Sequence, residues 1–125
     1  MVESAAILFG IVFLLIGILG FVPTATQANG VLLGIFHINA AHNTVHIGSG
    51  IIFFIAGMAG VAPSGAWFRI FGIIYALVAL LRFYYGHNAV LGLIANNTAN
   101  TWLDVVLAVV MLYLGFGAST SEAAV

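Results

Sequence analysis

Charged residues are nearly absent from this chain of 125 residues, making up 4% of it against about 25% in an average soluble domain. Hydrophobic residues make up 64% of the chain, and lysine does not occur. A chain with so few charges cannot cover a surface that faces water, so we expect it to lie in a lipid bilayer. Its net charge of −1 also argues against nucleic acid as a partner, because such a partner requires a basic surface.

Cysteine is absent as well. Its absence excludes disulfides, thiolate metal sites, iron–sulfur clusters and cysteine-based catalysis. The first residues, MVESAAILFG, lack the basic region with which a signal peptide begins. We therefore expect the first apolar segment to remain in the mature protein.

Four apolar segments approach the roughly 20 residues that a helix needs to cross a hydrocarbon core. They extend from Ala5 to Val22, from about Asn43 to Ala62, from Trp67 to Gly86 and from Thr101 to Gly117. None of these segments alternates apolar and polar residues as a barrel strand does. Backbone groups in lipid must form their hydrogen bonds within the segment, which a helix achieves. The sequence predicts an all-α, integral-membrane four-helix bundle, with residues 1–125 forming one transmembrane domain and 62–66 forming a tight turn.

The chain also contains an internal similarity, which predicts two tandem helical hairpins. GIVFLLIGILGFV from Gly10 aligns with GIIYALVALLRFY from Gly72, and the segment from Leu32 aligns with the segment from Val90. Repeat one then covers about 5–62, and repeat two covers about 67–117. Because each unit contains an even number of spans, the two would be related by a pseudo-twofold axis along the membrane normal.

The alignment matches His42 with Asn100 and His46 with Asp104, each pair lying four residues apart on one helical face. An ionisable group inside a membrane usually has a partner, so Arg82 and Asp104 are predicted to form an intramembrane ion pair. Alternatively, Arg82 extends to the lipid headgroups and Asp104 caps the fourth helix. The same membrane face carries a polar junction that consists of Asn39, Asn43, Asn97 and Asn100.

The histidines are the candidate ligand-binding residues. His42 and His46 could share a metal ion, with His87 or Asp104 as a third ligand. A zinc peptidase is disfavoured, because position 43 is asparagine where the H-E-x-x-H motif has its glutamate. A haem needs two axial ligands at similar depth, and the core of every other helix lacks histidine. The favoured interpretation is that these side chains satisfy helix ends by hydrogen bonding, with no cofactor.

The stretch LLGIFHINAAHNTVHIGSGIIFFIAG resembles the signature region of the domain of unknown function 4383 family, in which an H-N-x-x-H motif opens the second helix. The stretch NNTANTWLD resembles a second, related motif that the family carries before the fourth helix. Asp104 stands where that motif leads us to expect histidine. The resemblance covers nearly the whole chain. It implies a small four-helix membrane protein of a prokaryotic cell or internal membrane, and it implies no activity.

These observations favour a non-enzymatic structural or accessory subunit, packed in the bilayer with other membrane proteins or with copies of itself. The first alternative is a ligand-binding module that holds a metal, haem, quinone or pigment through the His42 and His46 face. The second alternative is transport of a proton or small solute past Arg82, Asp104 and His46.

Overall fold

The computed structural model of the protein describes residues 1–22, 31–32, 36–86 and 88–118. In these ranges the elements are helices α1 (Val2–Leu19), α2 (Ala40–Ala59), α3 (Val61–Tyr85) and α4 (Thr98–Leu112), a π-helix (Tyr113–Ala118) that continues α4, and strands β1 (Val31–Leu32) and β2 (Phe36–His37). The two strands pair antiparallel. The protein is therefore predominantly helical. The prediction of an all-α chain missed one small hairpin, which β1 and β2 form in the junction between α1 and α2.

Three of the helical stretches are long and apolar enough to cross a membrane: Val2–Leu19, Val61–Tyr85 and Thr98–Ala118. Helix α2 falls outside this set because polar residues occupy its first two turns. The outward surfaces of all four helices carry large apolar side chains, among them Leu15, Ile55, Leu80 and Val109. Such a surface suits lipid rather than water.

Asparagine side chains set the beginnings of α2 and α4. Asn39 Oδ1 accepts a hydrogen bond from the backbone N–H of His42 at 2.9 Å, and Asn97 Oδ1 accepts one from Asn100 at 2.8 Å. Each asparagine thereby satisfies a backbone donor that the first helical turn leaves without an acceptor. Both helices consequently begin three residues before the predicted segments did.

The predicted tight turn at residues 62–66 is wrong. Helix α2 ends at Ala59, Gly60 alone makes the reversal with a φ of +126°, and α3 begins at Val61. Pro63 lies in the first turn of α3, where a helix does not need its missing N–H. The proline therefore opens the third helix rather than closing the second, and α3 begins six residues earlier than predicted.

The helices pack as two antiparallel pairs, α1 with α2 and α3 with α4. Glycine allows close approach in both: a Cβ added at Gly50 would lie 2.8 Å from the Gly10 carbonyl oxygen, and one at Gly115 would lie 2.6 Å from the Arg69 backbone nitrogen. Small residues of this kind let membrane helices pack backbone to backbone. Helix α3 contacts both α1 and α2, whereas α1 and α4 make few contacts and leave a groove between them.

The half of the bundle near the α2–α3 connection is filled by aromatic rings. Phe9 and Phe68 pack edge to face with ring centroids 5.2 Å apart, and Phe53 packs on Phe71 at 5.0 Å. All four helices contribute to this apolar core. The buried charged side chains, by contrast, lie in the other half of the bundle, beyond Tyr75.

Candidate functional site

Arg82 and Asp104 form an ion pair between α3 and α4. Arg82 Nε donates a hydrogen bond to Asp104 Oδ2 at 2.5 Å, and both side chains are almost fully buried. Arg82 Nη1 also donates to the carbonyl oxygen of Ala95 at 2.9 Å and to Asn96 Oδ1 at 3.0 Å. The guanidinium is thus held inside the protein rather than extended to headgroups, and the cap of α4 is Asn97 rather than Asp104.

Asn96 supports this ion pair, and sequence reasoning missed it. Its Nδ2 donates to the carbonyl oxygens of Gly86 at 2.7 Å and Arg82 at 3.2 Å, which satisfies the C-terminal end of α3. One side chain therefore closes a helix and positions the guanidinium. The sequence feature that could have indicated Asn96 is its position in the 88–97 connection, because this connection has to cover the end of α3.

His42 and His46 lie together on the buried face of α2, with ring centroids 4.3 Å apart. The i, i+4 spacing accounts for the contact. The His46 ring also packs on Phe13 at 5.4 Å, and only 3% of the His46 surface is exposed. Within the described part of the chain, the Nδ1 atom of His46 has no hydrogen-bond partner. Such a buried atom carries a free-energy cost unless something else pairs with it.

Tyr75 and Ser49 continue the polar cluster toward the aromatic core. Their hydroxyl oxygens are 3.4 Å apart, which links α3 to α2. Sequence reasoning did not select either residue. The position of Tyr75 in the middle of an apolar segment could have indicated a polar contact, because a buried tyrosine hydroxyl normally has a hydrogen-bond partner.

The predicted junction asparagines have separate roles. Asn39 Nδ2 donates to the Leu93 carbonyl oxygen at 2.8 Å, which joins the first junction to the second. Asn43 is buried with its amide against Gly20. Asn100 Nδ2 donates to the Ala95 carbonyl oxygen at 3.3 Å. His87, the remaining candidate, lies outside the described residues.

Three cavities meet at His46. The first, here called the polar cavity, has a volume of about 50 Å³, and its wall includes Tyr75, Arg82 and Asp104. The second, the lateral groove, lies between α1 and α4 and has a volume of about 200 Å³. Its surface is apolar, because the His46 ring contributes no polar atom to it. The third, of about 110 Å³, lies under the β1–β2 hairpin. Among the described residues, His46 is the one that all three walls share.

The depth of His46 equals that of Asp104. Each lies six residues beyond the first residue of its helix, which is about 9 Å along the helix axis. Ile94 of the second junction borders the polar cavity, and Leu32 and Ile38 border the cavity under the hairpin. The junctions thus cover the cluster at the end of the bundle, while the lateral groove opens sideways between helices.

A metal site receives no support from the ranges that the structure describes. They contain no group of three or more histidine, cysteine, aspartate or glutamate side chains that could hold a metal ion. His42 and His46 supply two nitrogen atoms, and the nearby Asp104 carboxylate is engaged by Arg82. A structural or catalytic zinc ion requires at least three protein ligands.

The fold and site together define a helical protein with a membrane-compatible exterior, an aromatic core in one half and a buried polar cluster in the other. The model of the family Domain of unknown function (DUF4383) matches residues 4–117, and the chain belongs to that family. The resemblance noted at the H-N-x-x-H stretch is thereby confirmed. No curated protein and no solved structure matches the chain.

Proposed function

We propose that this protein is a non-enzymatic, four-span protein of a prokaryotic membrane that binds a lipid-soluble small molecule at His46. One observation carries the proposal: the ring of His46, a buried histidine whose Nδ1 has no hydrogen-bond partner among the described residues, borders a groove that opens toward lipid. Ligand sites in proteins are mostly apolar and contain few polar groups, which fix the orientation of the ligand. The lateral groove has such an apolar surface, and the buried His46 is the polar side chain that borders it.

The course of α2 along α1 supports a fourth span. A Cβ added at Gly57 would meet the backbone of Glu3 and Ile7, and one at Gly17, near the other end of α1, would meet the backbone of Asn43 and Ile47. Helix α2 therefore crosses the same thickness as α1. Its polar residues His42, Asn43 and His46 are buried, while its outward face carries Ile51, Ile55 and Met58.

Equivalent contacts in the two helix pairs support a tandem duplication. A Cβ at Gly10 would meet Phe54, and a Cβ at the aligned Gly72 would meet Leu112, which aligns with Phe54. Likewise, Gly57 faces Ile7 and the aligned Gly115 faces Arg69, which aligns with Ile7. Agreement in side-chain neighbours is stronger support for a duplication than sequence similarity between two apolar helices. We therefore infer that repeat one, about 5–62, and repeat two, about 67–117, share one design.

An accessory subunit is the second candidate, and Gly48 favours it. A Cβ at this glycine would have no atom of the described residues within 4 Å, so Gly48 leaves an open notch beside the exposed Val45 and Ile51. A helix of another subunit, or of a second copy, could pack there. By contrast, five other glycines pack against a neighbouring helix of this same chain: Gly10, Gly50, Gly57, Gly72 and Gly115.

Transport is not proposed. A route across the membrane would have to pass the half of the bundle that Phe53, Phe68 and Phe71 fill. The polar cluster lies on one side of these rings.

Native mass spectrometry of protein in lipid nanodiscs tests the proposed function. We expect the wild type to carry a lipophilic molecule that is enriched over the surrounding lipid. His46→Phe retains an aromatic ring of similar shape but removes both nitrogen atoms, so it should lose that molecule. Thr44→Ala is the matched control on the exposed side of α2, and it should retain the molecule. Absence of any enriched molecule from the wild type, or equal retention by His46→Phe, would overturn the proposal.

A further inference from the structure

The lateral groove runs lengthwise along α1. Its wall on that helix extends from Leu8 through Val12 to Ile16, three residues that lie four positions apart on one helical face. Eight residues of α-helix measure about 12 Å, and half of a hydrocarbon core of about 30 Å measures about 15 Å. Because α1 is long and apolar enough to cross a membrane, the groove is parallel to the surrounding lipid chains and close to one leaflet in length.

The groove has a neighbouring apolar space under the β1–β2 hairpin. Ile16, His46 and Leu103 belong both to the wall of the groove and to the wall of the cavity under the hairpin. Leu32 and Phe36 border that cavity from the hairpin. The two spaces therefore adjoin at the end of the groove that lies toward the junction, and neither surface contains a polar atom.

The inferred duplication relates the lateral groove to the polar cavity between α2 and α3. Four residues of the groove align with four residues of the polar cavity: Val12 with Ile74, Phe13 with Tyr75, Ile16 with Val78 and Leu103 with Val45. The hydrogen-bonded hydroxyl groups of Tyr75 and Ser49 have no counterpart at the groove, because the aligned residues are Phe13 and Leu107. The space between α2 and α3 is thus small and partly polar, at about 50 Å³, whereas its equivalent between α1 and α4 is wider and apolar, at about 200 Å³.

The wall of the groove favours a thin chain over another helix as its occupant. Membrane helices approach one another at glycine and other small residues. Both glycines of α1 face α2, because an added Cβ would lie 2.7 Å from the Phe54 backbone nitrogen at Gly10 and 2.6 Å from the Ile47 side chain at Gly17. The groove is bordered instead by bulky side chains such as Phe9. It therefore offers no notch for the backbone of a partner helix.

From these observations we infer that the lateral groove holds one acyl chain of a membrane lipid, which lies along α1 with one end toward the cavity under the hairpin. This inference rests on the proposed function and specifies the part of the ligand that the groove binds. The chain passes from lipid into a groove of the same polarity, so van der Waals packing against the wall holds it there.

Photolabelling tests the inference. Protein is placed in phosphatidylcholine nanodiscs that contain a small fraction of phosphatidylcholine with a diazirine midway along one acyl chain. After irradiation, mass spectrometry of peptides locates the label. We expect label on Phe9 and Leu107 in the wall of the groove, and Ile55 on the outward face of α2 is the reference for chains of the surrounding lipid.

Filling the groove provides the control. Leu103→Trp on α4 and Val12→Trp on α1 enlarge opposite walls, and each should abolish labelling in the groove while labelling of Ile55 is unchanged. Val106→Trp adds the same ring on the exposed side of α4 and should leave labelling in the groove as it is in the wild type. Labelling in the groove that both filling variants leave at the wild-type level would overturn the inference. A dimer in native mass spectrometry that both filling variants dissociate would also overturn it, because a helix of a second copy would then occupy the groove.

The outcomes separate the two proposals. If the wild type retains an enriched lipophilic molecule but its groove is not labelled, or if that molecule has no aliphatic chain, the inference fails and the proposed function stands. If the groove is labelled and the filling variants block the label, but no molecule is enriched, the proposed function fails and the groove holds chains of the bulk lipid. Without enrichment and without label in the groove, both proposals fail.

Discussion

In both helix pairs, the second helix begins at an asparagine whose side chain accepts a hydrogen bond from the backbone three residues later. Further along the second helix, the two pairs differ in their polar contacts. In the α3–α4 pair, Arg82 contacts Asp104, and each charge has its partner inside the pair. In the α1–α2 pair, Gly20 faces Asn43, and the Nδ1 atom of His46 has no hydrogen-bond partner among the described residues. From this comparison we infer that α3–α4 contributes more to stability and that α1–α2 carries the proposed binding residue, His46.

The largest effect is expected from breaking the ion pair of α3–α4. Asp104→Asn leaves the Arg82 charge buried without a counter-charge, and it should lower the free energy of unfolding by about 3–5 kcal/mol. His46→Phe, at the same depth in α1–α2, should cost less than about 1 kcal/mol, because it removes no paired charge. Equilibrium unfolding in mixed micelles of dodecyl maltoside and SDS measures both.

The double variant Arg82→Met/Asp104→Leu is the control for this prediction. It removes both charges, so it should be more stable than Asp104→Asn. Equal losses from Asp104→Asn and His46→Phe would contradict the division between the two helix pairs.

A smaller effect is expected where α1 and α2 pack backbone to backbone. Gly50→Ala places a methyl group 2.8 Å from the Gly10 carbonyl oxygen, so the helices must separate, at a cost of about 1–3 kcal/mol. Gly48→Ala is the matched control two residues earlier. It meets no described atom within 4 Å, and it should leave stability unchanged or raise it slightly through helix propensity. Thermal unfolding in detergent compares the two, and a loss in Gly48→Ala equal to that in Gly50→Ala would contradict the packing.

Of the three contacts that hold the helix pairs together (the ion pair, the glycine packing and the caps), the helix caps are expected to contribute least to stability. Asn39→Ala removes the side-chain acceptor for the His42 N–H and the donor to the Leu93 carbonyl oxygen, and it should cost about 1–2 kcal/mol. Asn39→Asp keeps the acceptor and loses the donor, so it should be the milder of the two changes. Hydrogen exchange at the first turn of α2 reports the difference, and equal exchange in both variants would show that the cap has no role.

The sequence was sufficient to predict the helical membrane-compatible fold, because four long apolar segments admit few other structures. It also indicated Arg82, Asp104, His42 and His46 as residues worth locating. It could not set the boundary at Gly60, since Pro63 fits the beginning of one helix as well as the end of another. It also missed Asn96, whose importance depends on the end of α3 lying over the 88–97 connection. The cavities at His46 depend on the spacing of α1 from α4, which a linear pattern does not encode.

The most direct test of the account is the ¹⁵N NMR spectrum of His46 in lipid nanodiscs, with histidine isotopically labelled and His46→Phe used to assign the signal. The His46 ring borders the lateral groove, so its resonances report whether a molecule lies there. We predict that extracting the bound lipophilic molecule with detergent shifts the His46 ring ¹⁵N resonances. His46 ring ¹⁵N resonances that are the same before and after extraction would contradict the proposed binding site.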